Sequence, residues 1–385
     1  MNRLTTSWGA IDLARFPEDP RETLRAWDAA DEYFLRQLGG IDGAAATDLN
    51  GTVVVVGDRW GALTTSLAAH RPVQITDSFL GQEATRANLA RNGVEADAVE
   101  LLSVRDVPPE RIDVLLVRVP KSLALLEDQL HRLAPCVHAD TVVVAAGMVS
   151  EIHTSTLKLF ERILGPTRTS LAVKKARLIF CTPSSQPTRA SSPWPLRYTL
   201  PADVGVLAGR TVTNHAGIFC AERLDIGTRF FLRSLPERHG PERVVDLGCG
   251  NGVVGTAAAL ANPQASVMFI DESFSAVASA EATYRENVTS DAKAEFLVGD
   301  GLSDVPDESV DLVLNNPPFH SHRATTDTAA RRMFGGARRA LRAGGELWVV
   351  GNRHLGYHVR LRRLFGNCEV VASDPKFVVL RAVKR

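Results

Sequence analysis

One order of strands and turns is written twice in this chain, and that duplication restricts the fold more than any other feature of the sequence. Val53-Val54-Val55-Val56-Gly57-Asp58 is a short, wholly apolar, β-branched run that ends in a glycine turn. Such a run reads as a parallel strand buried on both faces. Val73 to Asp77 is a second strand, Asp113 to Val119 a third closed by Pro120, and Thr141 to Ala145 a fourth. The second half repeats the order with Val244 to Gly248, Val267 to Asp271, Val310 to Asn315 closed by Pro317, and Glu346 to Val350. From glycine turn to proline is 63 residues in the first copy (Gly57 to Pro120) and 69 in the second (Gly248 to Pro317). Helical patterns such as Leu80 to Asn92 and Ser273 to Asn287 separate the strands. The alternation predicts an α/β fold of two tandem doubly wound domains. Five prolines and four serines between Thr182 and Pro201 mark a linker. The expected boundaries are a first domain over 1–183, a linker over 184–203 and a second domain over 204–385.

Composition narrows the class. A length of 385 residues with 45% hydrophobic residues suits two ordinary globular cores. No apolar run nears the ~18 residues of a membrane span, and Met1-Asn2-Arg3-Leu4-Thr5 opens no secretory core. Cys136, Cys181, Cys220, Cys249 and Cys368 are too scattered for a disulfide framework or a C-x-x-C knuckle. A cytoplasmic protein without membrane contact is expected.

The second copy carries the chemistry. Asp246-Leu247-Gly248-Cys249-Gly250-Asn251-Gly252 follows a strand and opens a helix. Alternate glycines allow a tight turn and close approach of a ligand to the backbone, and the helix start adds unpaired N–H groups. Alone, such a turn could bind a dinucleotide or nothing. The spacing here is G-x-G-x-G, with an acid two residues before it. Asp246 is poorly placed for a pyrophosphate and well suited to a cationic amino-acid moiety. Asp271 can accept both hydroxyls of a ribose, and Asp300 can read an adenine amine. Together these favour S-adenosylmethionine over a nicotinamide dinucleotide.

Asn315-Asn316-Pro317-Pro318-Phe319-His320 ends the fourth strand of this copy. Two prolines remove two backbone donors and hold Asn316 extended, which leaves a rigid loop rich in acceptors. The Asn316 amide oxygen and the Pro317 carbonyl can accept both hydrogens of one planar NH₂ group, and Phe319 offers a face for a flat base. A bare strand-ending turn is the competing interpretation. Cys249, inside the glycine loop, reads as a packing residue. His320 and His322 have no carboxylate or Cys at ligand spacing, so no metal is expected. Trp60 and Trp348 read as core or domain-contact residues rather than as platforms for a base.

These motifs have a family likeness. Leu224-Asp225-Ile226-Gly227, DLGCGNGVVG (246–255), FIDES (269–273), NNPPFH (315–320) and GNRHL (351–355) resemble the bacterial ribosomal RNA guanine-N2 methyltransferases, a branch of the small-domain methyltransferases. AWDAADEY (26–33), HTSTLKLFERILGPT (153–167) and KKARLIFC (174–181) extend the likeness through the first copy. The type acting on 23S RNA is nearer than its 16S sister. The resemblance implies two Rossmann-like, class I methyltransferase domains, the N-terminal one degenerate and helping to present RNA. It also implies that Asp246, Gly248, Gly250, Gly252, Asp271, Asp300 and Asn316 contact S-adenosylmethionine, while Asn316, Pro317 and Phe319 hold the target guanine. Gly57-Asp58-Arg59-Trp60-Gly61 lacks the alternating glycines, and Arg118-Val119-Pro120-Lys121 replaces the Asn-Pro-Pro-Phe loop. One active site is therefore expected, in a monomer. At Arg118 and Lys121 two readings stand, phosphate contact or plain surface.

Transfer of methyl to a guanine N2 in 23S ribosomal RNA is the expected reaction. Adenine in DNA, glutamine in a protein and 16S RNA are alternatives with the same planar amine chemistry. A non-catalytic RNA-binding assembly factor is the alternative from another class. The 44 basic and 44 acidic residues cancel over the whole chain. From Asn315 to Arg385, however, fourteen Lys and Arg face four Asp and Glu. Arg323, Arg331, Arg332, Arg338, Arg339, Arg353 and Arg360 follow the Asn-Pro-Pro loop, where phosphate neutralisation is useful, and about half of them are expected to be solvated helix faces.

Overall fold

The computed structural model describes residues 2–20, 22–43, 45–185, 190–289, 293–318 and 323–385, apart from the side chains of residues 42 and 323–327. The chain divides into two units, Met1–Pro193 and Trp194–Arg385. Each unit is built on a seven-stranded sheet. In the first the strands are, in chain order, Val53–Val56, Val73–Thr76, Glu100–Ser103, Ile112–Arg118, Val137–Met148, Thr167–Thr169 and Ala176–Cys181. In the second they are Arg243–Leu247, Ser266–Asp271, Ala294–Val298, Val310–Asn315, Leu341–Asn352, Glu369–Ser373 and Phe377–Val383. Both sheets place these strands in the same spatial order: third, second, first, fourth, fifth, seventh, sixth. The first five are parallel to their neighbours, and the last two are antiparallel. The duplication seen in the sequence is thus a duplication of topology.

Unbroken apolar strands are explained by burial on both faces. In the second unit Val244, Phe269, Leu312 and Leu314 pack on one side of the sheet. Val245, Leu247, Met268, Ile270 and Val313 pack on the other. The helix after each second strand starts at the same signal. The Ser78 hydroxyl accepts from the Gly81 N–H at 3.0 Å, and the Ser273 hydroxyl accepts from the Ala276 N–H at 3.0 Å.

The 184–203 stretch differs from the expected linker. Leu196–Thr199 forms an antiparallel pair with Thr211–Asn214, which satisfies its backbone in a ladder of the second unit. Upstream, the Ser192 hydroxyl donates to Asp128 at 2.6 Å within the first unit.

Strand register shows what the first unit has lost. Val56 pairs with Val117 as Leu247 pairs with Asn315, so Arg118 occupies the place of Asn316. Arg118 is fully buried and does not meet solvent, which removes the phosphate reading for this residue. Its Nε lies 2.6 Å from Asp31, its Nη2 2.9 Å from Asp28, and its Nη1 donates to the Ala146 carbonyl at 2.8 Å. Burial pulls the guanidinium pKa down, but Asp31, Asp28, Glu151 and Asp58 outweigh it and the net shift is upward. Lys121 carries no such partner set and lies on the surface. Arg59, at the position of Gly250, pairs with Asp28 at 3.2 Å and Glu151 at 2.6 Å. Val55 and Thr76 stand where Asp246 and Asp271 stand in the second unit.

Removing Arg118 leaves the buried Asp31 without a cation, while Arg59 still pairs with Asp28. Arg118→Ala is expected to destabilise the first unit by about 3–5 kcal/mol. Urea unfolding of the full chain measures this, and an unchanged transition would contradict the assignment.

Candidate active site at the strand ends of the second unit

The strand order of the second sheet reverses between its first and fourth strands, Arg243–Leu247 and Val310–Asn315. In open α/β sheets ligands bind in the crevice beyond the carboxyl ends of such strands. The glycine loop and the Asn-Pro-Pro loop both leave from that edge. Gly248, Gly250 and Gly252 have φ of 71°, 53° and 75°, a region that side chains disfavour. A Cβ at Gly250 would meet nothing within 4 Å, so the backbone there is bare toward the crevice. A Cβ at Gly252 would lie 2.6 Å from the Ala280 Cα, so that glycine serves helix packing.

Each acid proposed from the sequence has a definite setting. Asp246 is buried, and its Oδ2 accepts from the Gly255 N–H at 2.7 Å, which pins the helix Val253–Ala261 against the strand. Burial, with the neighbouring Asp271 charge, pushes its carboxyl well above the ordinary range to about 8, against the pull of the Gly255 bond. Among the described residues no cation pairs with Asp246. Asp271 accepts from the Gly250 N–H at 3.0 Å and the Ser273 N–H at 3.1 Å, and burial raises its pKa too. It therefore tethers the glycine loop to the second strand, with lone pairs to spare. Asp300 has one oxygen engaged by Arg332 of the helix Arg323–Ala340, a pairing the sequence did not suggest. The Cys249 thiol is pushed up by burial and by Asp271 and Asp246, which fits a packing residue.

The Asn-Pro-Pro loop is the most informative part. Asn315 is fully buried, and its Nδ2 donates to the Leu247 carbonyl at 2.7 Å, bridging the fourth strand to the strand that bears the glycine loop. Its amide also touches the Met333 sulfur at 3.6 Å, and a Cβ at Gly248 would come within 3.2 Å of the Met333 methyl. Asn316 Nδ2 donates to Thr228 Oγ1 at 3.0 Å, whereas Asn316 Oδ1 is buried with no partner. A buried amide oxygen without a donor costs about 1–3 kcal/mol and is rare in native proteins. This one stands ready for an N–H that no described residue supplies. Pro317 is buried beside it. Phe319, His320 and His322 lie outside the described residues. Among the described residues no group of three or more His, Cys, Asp and Glu could hold a metal. No helix of the described residues is long and apolar enough to cross a membrane.

The structure thus brings Asp246, Gly248, Gly250, Gly252, Asp271, Asn315 and Asn316 to one sheet edge. Sequence reasoning missed Asn315 as the bridge, Met333, the pairing of Arg332 with Asp300, and the pair Asp225 and Thr228. Asp225 carries a signal as helix cap three residues before Thr228, but the contact of Thr228 with Asn316 carries none.

The chain also resembles known proteins over its length. A model for the RLMG N-terminal domain matches residues 1–185, and one for the methyltransferase small domain matches 209–381. Ribosomal RNA large subunit methyltransferase G of Streptomyces avermitilis is 74% identical over 382 residues, covering 99% of both chains. The Streptomyces griseus protein of the same name is 72% identical over 385 residues, covering 100% of both. The Yersinia enterocolitica protein is 45% identical over 393 residues, covering 100% of this chain and 95% of its own. Among solved structures, the T. thermophilus 16S rRNA N2 G1207 methyltransferase (RsmC) in complex with AdoMet and guanosine superposes with a TM-score of 0.77 at 20% identity. That likeness covers 100% of this chain and 97% of the other, and establishes the duplicated fold.

The raised Asp246 pKa has a consequence for stability. Between the ordinary carboxylate range and about 8, the folded state keeps a proton that the unfolded state has shed. The contribution of this group to stability therefore falls as pH rises through that window and levels off above it. Asp246→Asn is expected to flatten the slope between pH 5 and pH 8 in unfolding of the second unit. An identical slope in both proteins would contradict the burial of a proton there.

Proposed function

As the chain belongs to the ribosomal RNA large subunit methyltransferase G family, we propose that it transfers the methyl group of S-adenosylmethionine to the exocyclic N2 amine of one guanine in 23S ribosomal RNA. It is an S-adenosylmethionine-dependent methyltransferase of ribosomal RNA, with two Rossmann-like domains. The residues present suit the cofactor. Bare backbone at Gly250 leaves room for close approach, and the buried Asp246, with no cation partner among the described residues, suits an ammonium group. Asp271 and Asp300 would serve the ribose and the adenine. When bound, S-adenosylmethionine supplies an electrophilic methyl group on sulfur.

The single observation that carries the reading is the orphaned Asn316 Oδ1, held beside the glycine loop. A guanine amine is a weak nucleophile because its lone pair is delocalised into the ring. An acceptor for its N–H orients the lone pair and favours pyramidal nitrogen, and preorganisation makes the acceptor effective at no reorganisation cost. As the N–C bond forms, the C–S bond breaks with its electrons going to sulfur, and one amine proton leaves to solvent. Phe319 would stack on the flipped base. The acceptor itself suits any planar amine. The choice of RNA rests on the family, and the choice of guanine N2 in 23S RNA is the reading tested here. The second unit would do the chemistry while the first, its crevice filled by Arg118 and Arg59, helps present RNA. The protein would work as a monomer in the cytoplasm, since one chain carries one complete set of site residues.

Asn316→Ala is expected to lower turnover by roughly 10²–10³-fold. Affinity for S-adenosylhomocysteine, read by thermal-shift titration, should be nearly unchanged. The assay is transfer of tritiated methyl to separated 16S and 23S RNA, naked and assembled, with mapping of the product. Label in 16S RNA alone, or full activity in the variant, would overturn the reading. Failure to bind S-adenosylhomocysteine would instead favour a non-catalytic RNA-binding role. Arg331 and Arg338 are exposed on the helix that follows the Asn-Pro-Pro loop. Replacing either by Ala should weaken RNA binding and reduce the salt slope by about one.

A further inference from the structure

Asn316 can receive an N–H only if its amide oxygen, and not its NH₂, is the atom left without a partner. The two orientations of an amide have nearly the same shape, so packing alone does not choose between them. The choice is made by a chain of hydrogen bonds from another element. Asp225 caps the helix Ile226–Leu232, its Oδ2 accepting from the Thr228 N–H at 2.9 Å. The same oxygen accepts from the Thr228 hydroxyl at 3.3 Å. A hydroxyl has one proton, and here that proton goes to a carboxylate. Thr228 Oγ1 is left with lone pairs only, and it accepts from Asn316 Nδ2 at 3.0 Å. Turning the amide over would set its carbonyl against that oxygen, two acceptors facing each other in a place closed to water. Thr228 is 8% exposed and Asn316 Oδ1 is buried.

The cap is itself held in place. Gly227 lies against the start of the seventh strand, where a Cβ would come within 3.0 Å of both the Phe377 ring and Asp225 Oδ2. Only glycine lets this helix start sit so close to the sheet. The segment that carries Asp225 and Thr228 is therefore anchored to the sheet independently of the Asn-Pro-Pro loop.

We propose that Asp225 and Thr228 are positioning residues for methyl transfer, which fix the Asn316 amide with its oxygen free for the target amine. This rests on the reading that Asn316 Oδ1 is the substrate acceptor. Neither residue touches the reacting atoms. Their effect is to spare the enzyme the reorientation of a wrongly turned amide, so they belong to kcat and not to cofactor binding.

The test uses the full chain and methyl transfer from labelled S-adenosylmethionine to 23S RNA. Thr228→Val keeps the shape and removes the hydroxyl; kcat is expected to fall by roughly tenfold or more. S-adenosylhomocysteine affinity should hold. Thr228→Ser, which retains the hydroxyl, should recover most of the loss, a recovery that a packing role for the threonine methyl does not predict. Asp225→Ala should lose more activity than Asp225→Asn, because asparagine still offers an acceptor to the hydroxyl. Wild-type kcat in Thr228→Val, alongside an inactive Asn316→Ala, would overturn this inference alone. An active Asn316→Ala would overturn the reading beneath it. Should Thr228→Val melt early, the two Asp225 variants decide, and equal activities there would count against the relay.

Discussion

Everything distinctive in this molecule follows from one geometric constraint. Where a parallel sheet reverses its order, neighbouring strand ends send their chains to opposite faces and leave a crevice. Backbone N–H groups and buried side chains face into it, and they need partners. The two units meet that need in opposite ways. In the first, Arg118 and Arg59 fill the crevice and pair with Asp28, Asp31 and Glu151. In the second, the backbone at Gly250 is bare, Asp246 and Asp271 have no cation partner among the described residues, and two buried amide oxygens lack a donor there. The same strands, in the same order, thus carry a paired charge cluster in one unit and unpaired polar groups in the other.

The contrast also locates the energetic cost of function. Asp246 and Asp271 have no cation partner among the described residues, and Asp246 is pushed to about 8 by burial. Among the described residues, Asn315 Oδ1 and Asn316 Oδ1 have no donor. A local departure from polar satisfaction, with no compensation inside the unit, is what a binding site looks like before its ligand is counted. At the strand end itself the first unit shows another arrangement. Substitution of Asn by Arg at the strand end, with two acids on the helix Ala29–Leu38 and its cap, resolves it internally.

The sequence revealed the sheets because their cause is local. Val53 to Val56 and Val244 to Val245 can only be strands covered on both faces, and the repeat of turn, acid and proline gave the order twice. The glycine loop and the Asn-Pro-Pro loop were readable for the same reason, since the unusual residue types are contiguous. What could not be read is contact between distant segments. Arg118 looked like a surface base because nothing near it in the chain announces Asp28 and Asp31, some ninety residues earlier. Thr228 and Asn316 are 88 positions apart, and no periodicity links them. The strand at Leu196–Thr199 hid inside a proline-rich composition because its partner, Thr211–Asn214, has to be folded beside it before the pairing pays no penalty in exposed backbone.

Charge is where counting and structure part most clearly. The balanced total conceals a basic C-terminal stretch, yet many of those arginines are already committed inside the second unit. Arg332 engages Asp300, Arg339 engages the Leu302 and Val305 carbonyls and Asp307, and Arg381 bridges Glu346 and Glu369. Arg342 pairs with Asp311 at 2.9 Å. Arginines that hold a helix or a strand edge contribute to the field around the unit, but their donors are spent. Arg331, Arg338 and Arg353 remain exposed, and so do Arg362 and Arg363, which composition alone did not single out. A polyanion is met by the field of all these groups and gripped by the donors of the exposed ones. For any polyanion, the number of phosphates this surface could grip is set by exposure, and the surplus of basic residues sets only its upper limit.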